Sequence, residues 1–255
     1  MPVSFVKFVK ITNLTCPHQQ DYSKGTSHGL CNALREAFET TDADFLSQGL
    51  SASGTCALVS CVSGSTLVTA NAGDCRGIIC TGGQNRRVER LSEDHKPNRE
   101  DEKARIRSAG GDVEFFGCWR VKSGMGPILL AVSRALGDRH FKTRRPHIVT
   151  AEPDLTTREI KAGHDHYLVL ACDGVWDVFS DEEASGVVGQ AIQRCLIGIE
   201  KMSSTQTVAD VAATALVTEA FDKGSADNIS VIVIRILAPQ TPGDVPDPNQ
   251  VTDCQ

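Results

Sequence analysis

Residues 168–177 have the sequence Leu-Val-Leu-Ala-Cys-Asp-Gly-Val-Trp-Asp. The apolar run 168–172 predicts a buried strand, and Asp173-Gly174 is a turn signal that ends it. Because Gly174 has no side chain, another backbone or a bound ion can come close to it. The stretch therefore predicts a carboxylate, that of Asp173, at the end of a core strand.

A second stretch repeats this arrangement near the C-terminus, where residues 224–237 have the sequence Gly-Ser-Ala-Asp-Asn-Ile-Ser-Val-Ile-Val-Ile-Arg-Ile-Leu. Here Asp227 stands at the entrance to a β-branched strand. If the two strands are neighbours in one sheet, Asp173 and Asp227 converge on one edge, where they repel unless a cation or a proton lies between them. Each Asp alone is typical of a turn, whereas the pair predicts a site for Mg²⁺, which proteins hold with one or two carboxylates plus waters.

Length, charge and hydropathy limit the class of protein. The 255 residues fit one large domain or two small ones, and the formal net charge is −6. No basic stripe is present, so we expect no nucleic-acid partner. The apolar runs are too short to cross a membrane, and residues 1–10 lack the apolar core of a signal peptide, so we expect no membrane partner either. The basic cluster 139–147 fits a solvated loop or a surface that steers an acidic partner.

The ten cysteines contain no C-x-x-C pair, so the usual zinc knuckle is missing. The pairs Cys56/Cys61 and Cys75/Cys80 are each five positions apart in strand-like segments, and an odd spacing places the two thiols on opposite faces of a sheet. Most of the cysteines are therefore interpreted as small core hydrophobes in a reducing compartment. This composition predicts a cytoplasmic or nuclear protein of unknown oligomeric state.

The hydrophobic periodicity divides the chain into an atypical N-terminal segment (1–29), a domain (30–237) and a disordered polar tail (238–255). Residues 3–11 alternate like one short strand, and 13–29 are loop-like. Short runs joined by turns over 54–91 predict an antiparallel meander. The other predicted elements are helices from Leu30 to before Gly49, Glu100 to Ala109, Ser180 to about Ile199 and about Thr205 to Phe221, a hairpin of Val113–Phe116 with Trp119–Lys122, and strands Ile128–Val132 and Thr156–Ile160. Antiparallel strands with helices grouped around them indicate an α+β fold.

Eight short segments carry a family resemblance. They are Ser53-Gly-Thr-Cys-Ala57, Asn71-Ala-Gly-Asp74-Cys-Arg76, Asp94-His-Lys-Pro97, Arg105-Ile followed by Ala109-Gly-Gly111, Leu130-Ala-Val-Ser-Arg134-Ala-Leu-Gly-Asp138, Glu152-Pro153, Leu170-Ala-Cys-Asp173-Gly-Val-Trp-Asp177 and Asp227-Asn228-Ile-Ser-Val231. Because these segments occur in the same order as in the family, the chain resembles the metal-dependent protein phosphatases of the type 2C serine/threonine class. The resemblance implies two antiparallel β-sheets packed as a sandwich and flanked by helices (α-β-β-α).

The same resemblance implies the cofactor and the substrate. Asp173 and Asp227 match two ligands of one of the family's two catalytic Mg²⁺ or Mn²⁺ ions, and Asp94 matches a residue linked in some members to a weaker third ion. Two such ions activate a water and neutralise phosphate oxygens during in-line attack on phosphoserine or phosphothreonine, so phosphorylated proteins are the implied substrates. Asp74, Arg76, Arg134 and Asp138 are interpreted as structural hydrogen-bonding partners near the sheet ends.

The chain also departs from the family pattern. The family has an Arg followed by a Glu-Asp pair and an Asp-Gly-His-Gly-Gly segment, and residues 1–52 reproduce neither. Asp21 is not followed by Gly-His, and His28 lacks the preceding Asp-Gly. The family's general acid therefore has no match, no catalytic residue is identified, and the first strands of the fold are expected to be missing.

Two hypotheses follow from this departure. Hydrolysis of phosphate monoesters needs the largest rate enhancements known, up to ~10²¹-fold, so a chain with half of the two-metal centre is expected to be a very poor phosphatase at best. The first hypothesis is a phosphatase of this family whose N-terminus is incomplete or alternative. The second is a catalytically inactive relative that binds phosphoproteins or regulatory partners. The presence of both Asp173 and Asp227 favours the first.

Overall fold

The structure is a computed structural model that describes residues 27–49, 52–81, 87–123, 127–142, 148–161 and 163–237. The predicted short strand in 3–11, Asp21 and the predicted disordered tail 238–255 lie outside these ranges. Among the described helices, none has the length and hydropathy that a membrane crossing requires.

The described residues form six helices and twelve strands. The helices are α1 (Ser27–Gln48), α2 (Glu100–Ser108), α3 (Arg139–Lys142), α4 (Asp173–Trp176), α5 (Asp181–Leu196) and α6 (Val208–Asp222). The strands are β1 (Gly54–Thr55), β2 (Ala57–Ser63), β3 (Thr66–Ala72), β4 (Arg76–Thr81), β5 (Arg87–Arg90), β6 (Asp112–Phe116), β7 (Cys118–Lys122), β8 (Leu129–Leu130), β9 (Leu136–Gly137), β10 (Asp154–Glu159), β11 (Asp165–Ala171) and β12 (Val231–Arg235).

Two antiparallel sheets form the centre of the fold, and the predicted α+β sandwich is confirmed. One sheet has the strand order β10-β3-β2 and the other β12-β11-β4-β5. Apolar side chains from both sheets, including Leu58, Leu67, Ile79 and Leu168, pack between them and are fully or almost fully buried. Helix α1 covers the outer face of the first sheet, and α5 and α6 cover the outer face of the second.

The two strands that carry the predicted site are neighbours, which is the condition that the site requires. β11 pairs with β12 in antiparallel register, with Ala171 opposite Val231. Both faces of β11 are buried, because Val169 and Ala171 face the helices while Leu168 and Leu170 face the other sheet. A strand buried on both faces has a continuous apolar sequence, which explains the run 168–172.

The predicted meander over 54–91 is wrong at its centre. β2 pairs with β3 and β4 pairs with β5, but β3 and β4 belong to different sheets. The connection between them passes from one sheet to the other at Gly73, whose φ of +125° favours glycine. Spacing alone did not show this, because a short connection between apolar strands fits either a hairpin or a change of sheet.

The predicted strand Ile128–Val132 is also shorter than expected. Only Leu129–Leu130 pairs with β7, and both residues are half-buried. Beyond β8 the backbone bonds elsewhere, since the Ser133 amide donates to the His95 carbonyl and the Ala135 amide to the Thr150 carbonyl. β6, β7 and β8 form a small third sheet beside the sandwich.

The predicted helices are all present, and their ends have physical causes. Ser180 and Glu183 form the predicted capping box of α5, with the Glu183 amide 3.2 Å from Ser180 Oγ. α6 begins at a second capping box that the sequence analysis missed, formed by Thr207 and Asp210. Helix α2 ends before Gly110, whose φ is +81°.

The interpretation of most cysteines as core side chains is confirmed for the described residues. All eight described cysteines are free thiols, and five of them are buried, namely Cys61, Cys75, Cys80, Cys172 and Cys195. Cys75 faces the space between the two sheets, whereas Cys80 faces the helices. These thiols therefore act as core side chains.

Candidate metal centre

A cleft of about 370 Å³ lies where several strand ends meet, and three of its lining residues are the acids Asp74, Asp138 and Asp173. Asp74 follows β3, Asp138 follows β9 and Asp173 follows β11. Strand ends of separate elements thus bring together carboxylates that are up to 99 positions apart in the sequence (173 − 74 = 99).

Asp173 is the first residue of α4, and its Oδ1 accepts a hydrogen bond of 3.0 Å from the Gly174 amide. Burial raises the pKa of Asp173 to about 6, and the negative charges of Asp74, Asp227 and Asp177 add to the increase. The positive charge of Lys96 partly opposes them. Asp173 therefore lies in a group of carboxylates whose charges repel one another.

A close backbone contact at Gly174 brings the segment that carries Asp227 next to the carboxylates around Asp173. A Cβ atom at position 174 would lie 2.3 Å from the Asn228 carbonyl oxygen. The Ser225 hydroxyl donates a 2.6 Å hydrogen bond to the Gly174 carbonyl, and the Cys172 amide donates one of 3.2 Å to the Ser230 carbonyl. The predicted close approach of another backbone to Gly174 is confirmed, and it holds the segment of Asp227 beside that of Asp173.

Asp177 is a member of the group that the sequence analysis left without a role. It lies four residues after Asp173, and this spacing places both side chains on one face of a helical turn. Burial raises the pKa of Asp177, and the charges of Asp74 and Asp227 raise it further. The (i, i+4) spacing in Asp173-Gly-Val-Trp-Asp177 was the signal in the sequence that indicated this residue.

Lys96 is the positively charged side chain that interacts with these carboxylates. Its Nζ lies 2.5 Å from Asp74 Oδ2, and the Cys56 thiol donates a 3.3 Å hydrogen bond to Asp74 Oδ1. Burial lowers the pKa of Lys96, but the charges of Asp74, Asp177 and Asp94 outweigh burial and raise it above its ordinary value. The predicted structural role of Asp74 is confirmed by these two bonds.

Asp94, the third predicted metal ligand, has both carboxylate oxygens engaged by Arg76. Arg76 Nε and Nη2 lie 2.9 and 2.7 Å from Asp94 Oδ1 and Oδ2. Arg76 also pairs with Asp181 at 2.6 Å and lies 5.0 Å from the ring centroid of Trp176. The structural role predicted for Arg76 is confirmed, while an ion at Asp94 stays a prediction.

The structural role predicted for Arg134 is confirmed. Arg134 Nη2 lies 2.7 Å from Glu102 Oε1, and its Nη1 lies 2.9 Å from Asp154 Oδ1. Asp138 lines the cleft in a left-handed conformation, with φ of +53°, and its amide donates a 3.0 Å hydrogen bond to the Ser53 carbonyl. Burial raises the pKa of Asp138 to about 6, although the charge of Lys142 opposes the increase.

These donors fit a hard divalent cation. The groups whose charges raise the pKa of Asp173 are all carboxylates, which Mg²⁺ and Mn²⁺ prefer, and mutual repulsion among them favours a bound positive charge. Within the described ranges, no three His, Cys, Asp or Glu side chains are placed to hold a metal ion together.

Known proteins match this chain over most of its length. The sequence profile described as Protein phosphatase 2C matches residues 9–229. The chain is 38% identical over 215 residues to Probable protein phosphatase 2C 59 of Arabidopsis thaliana, which covers 83% of the chain and 60% of that protein. It is 40% identical over 211 residues to Protein phosphatase 1F of Homo sapiens, which covers 82% of the chain and 41% of that protein. The chain thus spans about three fifths and two fifths of these two relatives.

Solved structures show the same architecture. A crystal structure of serine-threonine phosphatase 2C from Toxoplasma gondii has a TM-score of 0.67 at 22% identity, covering 81% of this chain and 67% of that one. At that identity the likeness shows the fold alone. A crystal structure of a phosphatase from a pathogenic strain of Toxoplasma gondii has a TM-score of 0.55 at 31% identity, covering 68% of this chain and 48% of that one.

Proposed function

Because the chain belongs to the protein phosphatase 2C family, we propose that it is a metal-dependent phosphatase that acts on phosphoserine and phosphothreonine in proteins. One observation carries the proposal: neighbouring strands β11 and β12 deliver Asp173 and Asp227 to one group of mutually repelling carboxylates. A hard cation relieves this repulsion, and the family uses such a cation to hydrolyse phosphate esters.

In this proposal Asp173 and Asp227 hold Mg²⁺ or Mn²⁺. A bound ion of this kind supplies an activated water and a positive charge for the phosphate oxygens. The chain itself fixes the carboxylates: the Gly174 amide orients Asp173, and the Asn228 amide donates a 2.7 Å hydrogen bond to Asp227 Oδ1. Lys96 neutralises Asp74, so that Asp74 does not add a full uncompensated charge beside the ion.

A second candidate function is a phosphoprotein-binding module with no turnover. The departure of residues 1–52 from the family's Asp-Gly-His-Gly-Gly pattern favours it, since the two-metal mechanism needs more than two carboxylates. Both candidates bind a cation at Asp173 and Asp227 and bind a phosphorylated protein. They differ in the rate of phosphate release.

The test combines calorimetric titration with MnCl₂ and release of inorganic phosphate from a phosphothreonine peptide. We expect the wild-type chain to bind Mn²⁺, and Asp173→Asn or Asp227→Asn to weaken binding by about 10-fold or more. The control Asp112→Asn, an exposed acid that pairs with Arg107, should change nothing. If Asp94 holds a weaker ion, Asp94→Asn removes a separate weak binding event.

The two measurements separate the candidates. We expect slow, Mn²⁺-dependent phosphate release that both site variants abolish. Release at rates of about 1–10³ s⁻¹, typical of enzymes, would show that half of the family's centre suffices. No release together with normal Mn²⁺ binding supports the binding module, and no Mn²⁺ binding at all contradicts both candidates.

We further propose that residues 30–237 form the phosphatase domain and that the protein acts in the cytoplasm or nucleus. The described free thiols support a reducing compartment. Limited proteolysis that cuts inside β11 before the termini would contradict the domain assignment. Secretion of a tagged chain into the medium would contradict the compartment.

A further inference from the structure

The negative charge of the cleft repels a phosphorylated ligand. Its described lining contains three carboxylates, Asp74, Asp138 and Asp173, and a phosphate monoester carries close to two negative charges at neutral pH. Lys96 is engaged by Asp74 and Arg76 by Asp94 and Asp181. A permanently charged side chain for the phosphate must therefore come from the residues that line the cleft itself.

Arg120 meets this requirement. Of the described residues that line the cleft, it is the one arginine, and none of them is a lysine. Arg120 lies on β7 opposite Glu114, but Glu114 is engaged by Lys122, whose Nζ lies 3.1 Å from its Oε2. Among the described residues, no carboxylate forms an ion pair with Arg120.

The side chain of Arg120 is also oriented. Its Nε donates a 3.2 Å hydrogen bond to the Phe116 carbonyl across the turn of the β6–β7 hairpin. This bond fixes one side of the guanidinium plane and leaves the two terminal amino groups to bind a ligand. Arginine presents such groups as a planar fork that binds two phosphate oxygens at once.

We propose that Arg120 binds the phosphoryl group of the phosphoserine or phosphothreonine ligand at the mouth of the acidic cleft. This inference rests on the proposed function, because it assigns the phosphate-binding residue of the same site. Ile128, which is 43% accessible, also lines the cleft. The wall thus combines one cation with an apolar surface for the residues that flank the phosphate.

The test measures binding rather than turnover. The probe is a peptide with a phosphonate analogue of phosphoserine, which cannot be hydrolysed, and its partner is the same peptide with serine. Both are titrated by fluorescence anisotropy into the full chain with MnCl₂ present. The variants are Arg120→Ala and Arg120→Lys, and the matched control is Arg107→Ala, which removes one exposed arginine from the neighbouring helix α2.

We expect wild type to prefer the phosphonate peptide, and Arg120→Ala to weaken its binding by about 10- to 100-fold with no change for the serine peptide. Arg120→Lys should lose part of this preference, because lysine keeps the charge and not the fork. Arg107→Ala should match wild type, and all variants should bind Mn²⁺ equally.

The outcomes separate a failure of the role of Arg120 from a failure of the proposed function. If wild type prefers the phosphonate peptide and Arg120→Ala keeps the full preference, the role of Arg120 is wrong while the proposed function stands. If wild type binds both peptides alike, the proposed function and the role of Arg120 fail together. A loss of Mn²⁺ binding in Arg120→Ala would show that Arg120 supports the metal centre, which also contradicts phosphate binding as its role.

Discussion

The contact at Gly174 gives the sharpest test of how the metal centre is assembled. In Gly174→Ala the new Cβ would lie 2.3 Å from the Asn228 carbonyl oxygen, and ordinary contacts begin near 3.4 Å. One backbone must therefore move by about 1 Å (3.4 − 2.3 = 1.1). The atom that must give way is backbone, so rotation of a side chain cannot remove the clash.

The expected loss of stability follows from this overlap. Overpacking of a close-packed site costs about 2–3 kcal/mol, which for a chain of this size lowers the thermal midpoint by about 4–12 °C. Gly186→Ala is the matched control, because Gly186 lies inside helix α5 and its added Cβ meets nothing within 4 Å. There the same substitution removes the helix penalty of glycine and raises the midpoint by about 2–4 °C.

Thermal melts with and without MnCl₂ check both the packing and its consequence for the metal centre. A ligand at 100 times its dissociation constant stabilises a protein by about 2.7 kcal/mol. We expect wild type and Gly186→Ala to show this Mn²⁺ shift and Gly174→Ala to lose most of it, because Asp227 moves away with Asn228. A Gly174→Ala chain that melts early and keeps the full Mn²⁺ shift would refute the link between the backbone contact and the site.

Two further predictions concern the charged residues Glu102 and Lys96. Burial opposes ionisation of Glu102, but hydrogen bonds from Arg134 and Arg105 lower its pKa from 4.5 to about 2. The ionised form therefore stabilises the fold above pH 4.5, and this contribution is lost as the pH falls towards 2. In urea unfolding at pH 7, Glu102→Gln should lower the free energy of unfolding by about 3 kcal/mol. Below pH 4.5 the free energy of unfolding should fall less steeply in Glu102→Gln than in wild type. An equally steep fall in both proteins would contradict this prediction. Lys96→Met removes the positive charge next to Asp74, so the binding free energy of Mn²⁺ in calorimetry should become more favourable by about 1 kcal/mol. Weaker Mn²⁺ binding would contradict this prediction and would mean that Lys96 positions the ligands.

Periodicity was sufficient to predict the main helices and the strands β11 and β12, whereas their pairing was only the condition on which the predicted site depended. It could not assign β3 and β4 to different sheets, because both strands are buried on both faces and carry no alternation. Alternation specifies a sheet face only when the other face meets water. The strand predicted at Ile128–Val132 failed for a related reason, since an apolar run does not show where its backbone hydrogen bonds go.

The candidate site was predicted in part. Asp173 and Asp227 were found because each follows or precedes a strong strand pattern. Asp74 was not assigned to the cleft, and its ion pair with Lys96 was not predicted, because their meeting depends on the passage of the chain between the sheets at Gly73.

The packing of the strand ends explains why the carboxylates crowd together. Glycines at these ends let backbones approach to distances that any side chain would block: Gly174 meets Asn228, and Gly137 meets Ser53, where a Cβ would lie 2.5 Å from the carbonyl oxygen. Each close approach brings one more acid towards the same cleft. Burial and like charge then raise the pKa of Asp173, so the charged form is held at a cost in free energy when no cation is bound. Binding of a divalent ion removes that cost. The same tight packing that orders the sandwich therefore makes its acidic end a site with a preference for positive charge.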